Sequence, residues 1–188
     1  MVMMTMMSTV TSETSVAPRP VVPTTVLVTV PTTQAAVQTT PCVPTNCPAR
    51  YRLLSDQTAS PNCYFFSEDN KKIWSDALKA CTSTPGAYLW RPNTRTEANA
   101  VKDTFGFQTT QSIWTGANSP THDENYVFAV DNAAFSLTNL PFGEKTISFS
   151  GQDCVEILLN DSDVWKWENE DCKDAERFIC ELPRKTCP

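Results

Sequence analysis

The run from Asp163 to Cys172, DVWKWENEDC, gathers Asp163, Glu168, Asn169, Glu170 and Asp171 around two tryptophans. Carboxylate and amide oxygens at this density can hold a hard cation such as calcium, which takes six to eight oxygens at about 2.3–2.6 Å. They can equally form a solvated turn. Trp165 and Trp167 alternate about Lys166, and on a strand residues i and i+2 share a face. That placement serves core packing or, for one of the pair, a platform for stacking a sugar ring. Other chemistry has less to build on. His122 is the single histidine and sits in the polar stretch SPTHDEN, with no nucleophile elbow of the G-x-S-x-G type. No carboxylate pair is marked by spacing or an apolar pocket as a glycosidase pair. The five glycines form no phosphate-binding loop. The chain is not expected to be an enzyme.

Eight cysteines, Cys42, Cys47, Cys63, Cys81, Cys154, Cys172, Cys180 and Cys187, occur without C-x-x-C spacing. With one histidine, zinc fingers and thioredoxin-type motifs lack their ligands. An even number of cysteines reads as disulfides, which places the protein in an oxidising compartment, secreted or extracellular. The opening MVMMTMMSTVTSETSV has neither the basic n-region nor the apolar run of a secretory leader. A net charge of −6 argues against nucleic acid as a partner. No stretch approaches the ~20 apolar residues of a membrane span.

The elements that must position these residues lie in the second of two parts. Residues 1–41 are a Thr/Pro/Val-rich block whose charges are Glu13 and Arg19 alone. With no aromatic residue and no apolar period, the block cannot offset its chain entropy. It is expected as a disordered tail, or as an O-glycosylated stalk, which such composition resembles. Residues 42–188 carry all nine Phe, five Trp and four Tyr together with every cysteine, enough for one domain. In NKKIWSDALKAC, Trp74, Ala77, Leu78 and Cys81 recur at helical spacing, with Asp69 or Asn70 as the cap. In TRTEANAVKDTFG, Thr94 and Glu97 form a capping box and Gly106 suits the C-terminal stop. SIWTG, NYVFAV, AAFSL, DCVEILL, VWKW and RFICEL read as short strands, so the fold class is α+β. Asn132–Asp153 is a long connection of the kind that is usually functional or disordered. Asn160-Asp161-Ser162 is a sequon for N-glycosylation in a secreted protein.

In order, CPARY, NCYFF, IWSDALKAC, the helix after RPNT, Trp114-Thr115-Gly116, DCVEI, Trp167 ahead of Cys172 and a final FICEL resemble a C-type lectin domain of the long form. The resemblance runs from Cys47 to about Leu182. It implies two helices with short antiparallel sheets and a long loop region. It also implies the bridges Cys81–Cys180, Cys154–Cys172 and Cys47–Cys63, leaving Cys42 and Cys187 at the two ends to pair with each other or, as the rival, to form an intermolecular bridge.

Sugar-binding members of that family hold two sugar hydroxyls through calcium. Their ligands come from a Glu-Pro-Asn or Gln-Pro-Asp triplet in the long loop, an acidic residue before an Asp-Cys pair, and a Trp-Asn-Asp triplet. Here Trp167-Glu168-Asn169 stands at the last, with carboxylate and amide exchanged. Gln152 precedes Asp153-Cys154 without a charge. At the loop's proline, Leu140-Pro141-Phe142 brings no side-chain oxygen; counting back from Cys154 instead brings Glu144 forward, followed by Lys145 and Thr146. The resemblance thus implies Gln152, Glu168 and Asn169 as degenerate metal positions, and Glu144, Trp165 and Asn169 as ligand contacts. No cofactor is expected, calcium being the one ion the pattern admits. The function implied is recognition of a glycan, in defence or adhesion, through an atypical or calcium-independent site. The alternative is a calcium-independent protein-binding domain.

Overall fold

The computed structural model describes residues 46–184. The expected 1–41 tail and the Cys42–Cys187 pairing lie outside the described residues. Strand β1 (Arg52–Leu53) pairs antiparallel with β2 (Cys63–Phe66), and Cys47–Cys63 ties this hairpin to the preceding segment. Helix α1 (Trp74–Thr82) turns Trp74, Ala77 and Cys81 inward, the face expected from their spacing. Its start differs from the expected one. Ile73 stands at the N-cap without a side-chain bond, while Asp69 accepts from Arg177 at 2.7 Å. The first turn is fixed instead from outside, by Trp74 N–H on the Cys172 carbonyl and by the Lys72–Glu176 bridge.

After β3 (Tyr88–Leu89), helix α2 (Arg95–Phe105) begins as its sequence predicts, with Thr94 Oγ1 accepting from Glu97 N–H at 3.1 Å. Gly106 ends it in the left-handed region at φ 66°. The Glu97 carboxylate does not close the capping box. It is buried, accepting from the Tyr64 hydroxyl (2.9 Å), Trp90 Nε1 (3.1 Å) and Asn93 N–H (3.1 Å). Glu181, also buried, accepts from Asn62 Nδ2 at 2.7 Å and Arg91 N–H at 3.4 Å. Burial and the nearby Glu97 raise its pKa. Buried carboxylates persist only where such partners satisfy them, and this pair fixes the backbone of Arg91 and Asn93 from beneath.

The remaining strands are β4 (Ile113–Asn118), β5 (Tyr126–Phe128), β6 (Ala134–Phe135), β7 (Glu144–Lys145), β8 (Cys154–Leu159), β9 (Trp165–Glu170) and β10 (Arg177–Leu182). They assemble in the order β1-β2-β10-β4-β8-β9-β7, with β3 on β10 and β5 and β6 extending from β4. Most strand pairings are antiparallel, as the resemblance implies, while β4 runs parallel to β10 and β7 parallel to β9, which makes the sheet mixed. Gly116 permits the close approach of β4 to β3, since a Cβ there would meet the Leu89 carbonyl at 2.5 Å. Cys81–Cys180 joins α1 to β10 and Cys154–Cys172 joins β8 to the loop after β9. All three bridges within the described residues are those the resemblance implied.

Candidate functional site: the long loop and the edge of β9

β9 alternates strictly between buried and half-buried residues. Trp165, Trp167 and Asn169 point into the domain, while Lys166, Glu168 and Glu170 face outward. Trp165 and Trp167 are both 0% exposed. Trp165 Nε1 donates to Asn99 Oδ1 at 2.8 Å and its ring meets Phe142 and Phe107 edge-on. The ligand-stacking role expected for Trp165 is therefore corrected: an indole sealed on every side offers no face to a sugar, and its polar tip is already satisfied.

Leu140-Pro141-Phe142 acts as a plug. Phe142 is buried against Trp167 at 5.6 Å between ring centroids, and its carbonyl accepts from Trp167 Nε1 at 2.8 Å. Gly143, at φ 78°, lets the chain turn past Trp165, whose carbonyl would lie 2.5 Å from a Cβ. The chain then enters β7, where Glu144 is registered with Lys166 and Lys145 with Trp167. Of the two alignments open in the sequence, counting back from Cys154 is the one that brings Glu144, Lys145 and Thr146 to β9. Glu144 is paired with Lys166 Nζ at 2.5 Å. That hydrogen bond and charge hold its carboxyl below the usual range.

Beyond β7, residues 146–152 fold back over Asn169, which is 1% exposed. Asn169 Oδ1 accepts from Phe149 N–H at 3.2 Å, and Nδ2 donates to the Phe149 carbonyl at 2.8 Å. Nδ2 also reaches the Gln152 carbonyl and the Tyr126 hydroxyl, each at 3.2 Å. Tyr126 in turn donates to the Gln152 carbonyl at 2.9 Å. The amide thus pairs with Phe149 as a neighbouring strand would, and Ile147 and Phe149 stand outward, 75% and 56% exposed. Gln152 Nε2 donates to Glu170 at 2.6 Å, while its Oε1 is buried without a partner. Burial and the charge of Glu170 raise the Glu168 pKa. On the other side, His122 Nδ1 lies 2.5 Å from Asp153 Oδ2.

The Lectin C-type domain family model matches residues 70–182. Lectin BRA-3 of Megabalanus rosa is 28% identical over 158 residues, spanning 81% of this chain and 87% of its own length. A perlucin-like protein of Mytilus galloprovincialis is 31% identical over 140 residues, spanning 73% and 83%. The chain belongs to the C-type lectin family. The fold agrees: the C-type lectin domain of murine dendritic cell inhibitory receptor 2, solved in complex with an N-glycan, matches with a TM-score of 0.58 at 18% identity, over 74% of this chain and 100% of that one. The mouse scavenger receptor C-type lectin carbohydrate-recognition domain matches with 0.55 at 22% identity, over 76% and 100%. As a C-type lectin the domain is a recognition module and not an enzyme. Among the described residues no helix is long and apolar enough to cross a membrane.

The residues at the C-type lectin calcium positions do not fit the ion. Calcium needs several charged oxygens converging on one point. Asn169 spends its amide on the loop, Glu144 is neutralised by Lys166, and Gln152 is uncharged. Of these positions only Glu168 offers a carboxylate not paired with a lysine, and a single carboxylate with the orphaned Gln152 Oε1 falls short of a coordination shell. Among the described residues no group of three or more His, Cys, Asp or Glu is arranged to hold a metal. Sequence reasoning missed Tyr126, whose hydroxyl bonds the Gln152 carbonyl and the Asn169 amide, and Phe149, whose backbone pairs with that amide; no residue-type signal marks either.

Proposed function

We propose that this C-type lectin is an extracellular recognition domain that binds glycans without the family's calcium set, through residues 144–152 and the outward edge of β9. One observation carries the reading: the buried Asn169 amide, at a calcium-ligand position, bonds the backbone of Phe149 and Gln152. A protein group thereby braces the long loop. What the brace leaves at the surface is chemistry suited to a sugar: the Thr146 hydroxyl, the Glu168 carboxylate, and the Phe149 ring as a face for its C–H groups. The disulfides support an oxidising, extracellular setting.

The test is glycan-array binding and thermal melting, each with calcium and with chelator. Binding is expected to persist in chelator with no calcium-dependent rise in melting temperature, since an ion that binds only the folded state raises it by mass action. Loss of glycan binding in chelator rejects the calcium-independent reading. A second reading, protein recognition, draws on the exposure of Ile147 and Phe149, because apolar residues on a surface patch suit protein interfaces. Retention of a protein partner with an empty glycan array favours it.

A further inference from the structure

A cleft of about 530 Å³ lies between the Arg91–Asn93 loop and the base of the long loop. None of its walls belongs to residues 144–152 or to β9, so it is a separate place on the domain. Its volume falls within the roughly 300–1,000 Å³ of small-molecule sites.

One wall is built with unusual rigidity. Arg91 N–H is held by buried Glu181 at 3.4 Å, and its carbonyl accepts from Asn93 Nδ2 at 2.9 Å. Asn93 N–H is held in turn by buried Glu97 at 3.1 Å. The Arg91 guanidinium lies 4.7 Å from the Phe128 ring centroid and donates through Nη1 to Asp131 at 2.6 Å. A guanidinium has five N–H donors, so several remain after that bond. The facing wall brings Ser136 and Asn139, and between the walls lie Phe128, Phe135, Leu140 and Pro141.

The chemistry narrows the occupant. An anion is disfavoured, because the Asp131 carboxylate already sits on the guanidinium and repels a second negative charge. A purely apolar ligand is disfavoured as well, since Phe128 and Phe135 are only 5% and 9% exposed, beneath a rim of Arg91, Asn93 and Asn139. An uncharged ring with a C–H face and adjacent hydroxyls matches both. A hydroxyl accepts and donates at once, so neighbouring hydroxyls on one ring can take a bond from the guanidinium and give one to the Asn139 amide oxygen on the facing wall. Charge-assisted bonds of this kind are the strong ones.

We infer that this cleft is a second, cation-independent saccharide subsite, taking a neutral sugar ring with its hydroxyls on the Arg91 guanidinium and on the amides of Asn93 and Asn139. The inference rests on the glycan reading above and adds where and what class of sugar.

The experiment titrates the full chain, 15N-labelled and in chelator, with the methyl glycosides of mannose, galactose, glucose and N-acetylglucosamine. At least one is expected to move the Asn93 and Asn139 side-chain amide signals. Ala134→Trp, which fills the cleft from an exposed strand edge, and Asn139→Ala are each expected to weaken that binding at least tenfold. Lys79→Ala on the exposed side of α1 serves as the unaffected control, and retained amide dispersion shows that the variants fold. Sugar binding that ignores both cleft variants but is lost in Glu168→Gln overturns the subsite and leaves the glycan reading standing. No sugar response here and an empty glycan array overturn both. A cleft that responds to peptides and not to sugars overturns the saccharide assignment.

Discussion

The core beneath the two helices and the loop of residues 144–152 are held together in different ways. In the first, two helices and the central strands bury Trp90, Ile113 and Ile157 in one cluster and Trp114 and Phe178 in another, so each contact is backed by many others. In the second, order depends on a few polar contacts: Lys166 on Glu144, and one amide, Asn169, on two stretches of backbone. Redundant packing tolerates drift in sequence. A loop hung on a few contacts changes shape when one residue changes, and a recognition surface evolves by that route.

The comparison is tested most severely on the scaffold. Replacing Cys81 and Cys180 together by Ser opens a loop of 99 residues. In the chain-entropy model this costs about 4–5 kcal/mol, against about 3 kcal/mol for a short loop such as that of Cys154–Cys172. Urea unfolding should show the larger loss at the first bridge. If removing the short bridge, beside the recognition surface, destabilises the domain more, the division of labour is wrong.

The scaffold also carries a site sensitive to pH. Glu156, buried on β8 and bonded by Ser112 Oγ at 2.6 Å, is pushed up to about 8 by burial, with Glu176, Glu168 and Glu170 adding repulsion. Below about pH 4.5 both folded and unfolded states hold the proton, and nothing is lost. As pH rises towards 8 the unfolded chain releases it first, so stability falls, by on the order of a few kcal/mol. Glu156→Gln should therefore match the wild type at pH 4 and exceed it in melting temperature at pH 8. An equal gain at both pH values would mean that the carboxyl is not the cause.

How much of this was legible in the sequence follows the same divide. Trp74, Ala77 and Cys81 announced α1 because the helical repeat is a property of the chain itself. Thr94 and Gly106 announced α2 because caps are local chemistry. The start of α1 was misplaced at Asp69 because it is set by Cys172 and Glu176, about a hundred residues away. Trp165 was misjudged because an alternating pattern tells which residues share a face but not which face is covered. The loop was the least legible. Leu140 and Phe142 read only as missing oxygens, although they are a plug. Asn169 read as an exchanged ligand, although its amide pairs with Phe149 in a manner no spacing rule encodes.

Asn169→Asp addresses that amide. A carboxylate keeps the acceptor for Phe149 N–H but gives up the donor to the Phe149 and Gln152 carbonyls, in a position 1% exposed. The loss expected is about 1–3 kcal/mol, felt mostly by the loop. Limited proteolysis should cut first within residues 146–152 while the global melting temperature moves less. A change in global stability without faster cleavage there would place Asn169 in the scaffold and erase the distinction between the two regions.

The smallest effect is expected at Glu144. Its carboxylate is exposed, and its partner Lys166 lies on the outward face of β9. Water and salt screen such a pair, so Glu144→Gln should shift the melting temperature slightly at low ionic strength and not at all in high salt. Because Lys166 lowers the Glu144 pKa in the folded state, the contribution is present above the ordinary carboxylate range and disappears as pH falls through the depressed value. A Glu144→Gln variant that melts normally yet binds glycan differently would separate two roles for this residue. The ion pair would then matter by keeping the Lys166 ammonium off the sugar-facing edge, where Glu168 and Thr146 stand, and not by holding β7 in place. If melting and binding fall together in high salt as well as low, the pair is a structural strut and the loop owes more to β7 than to Asn169.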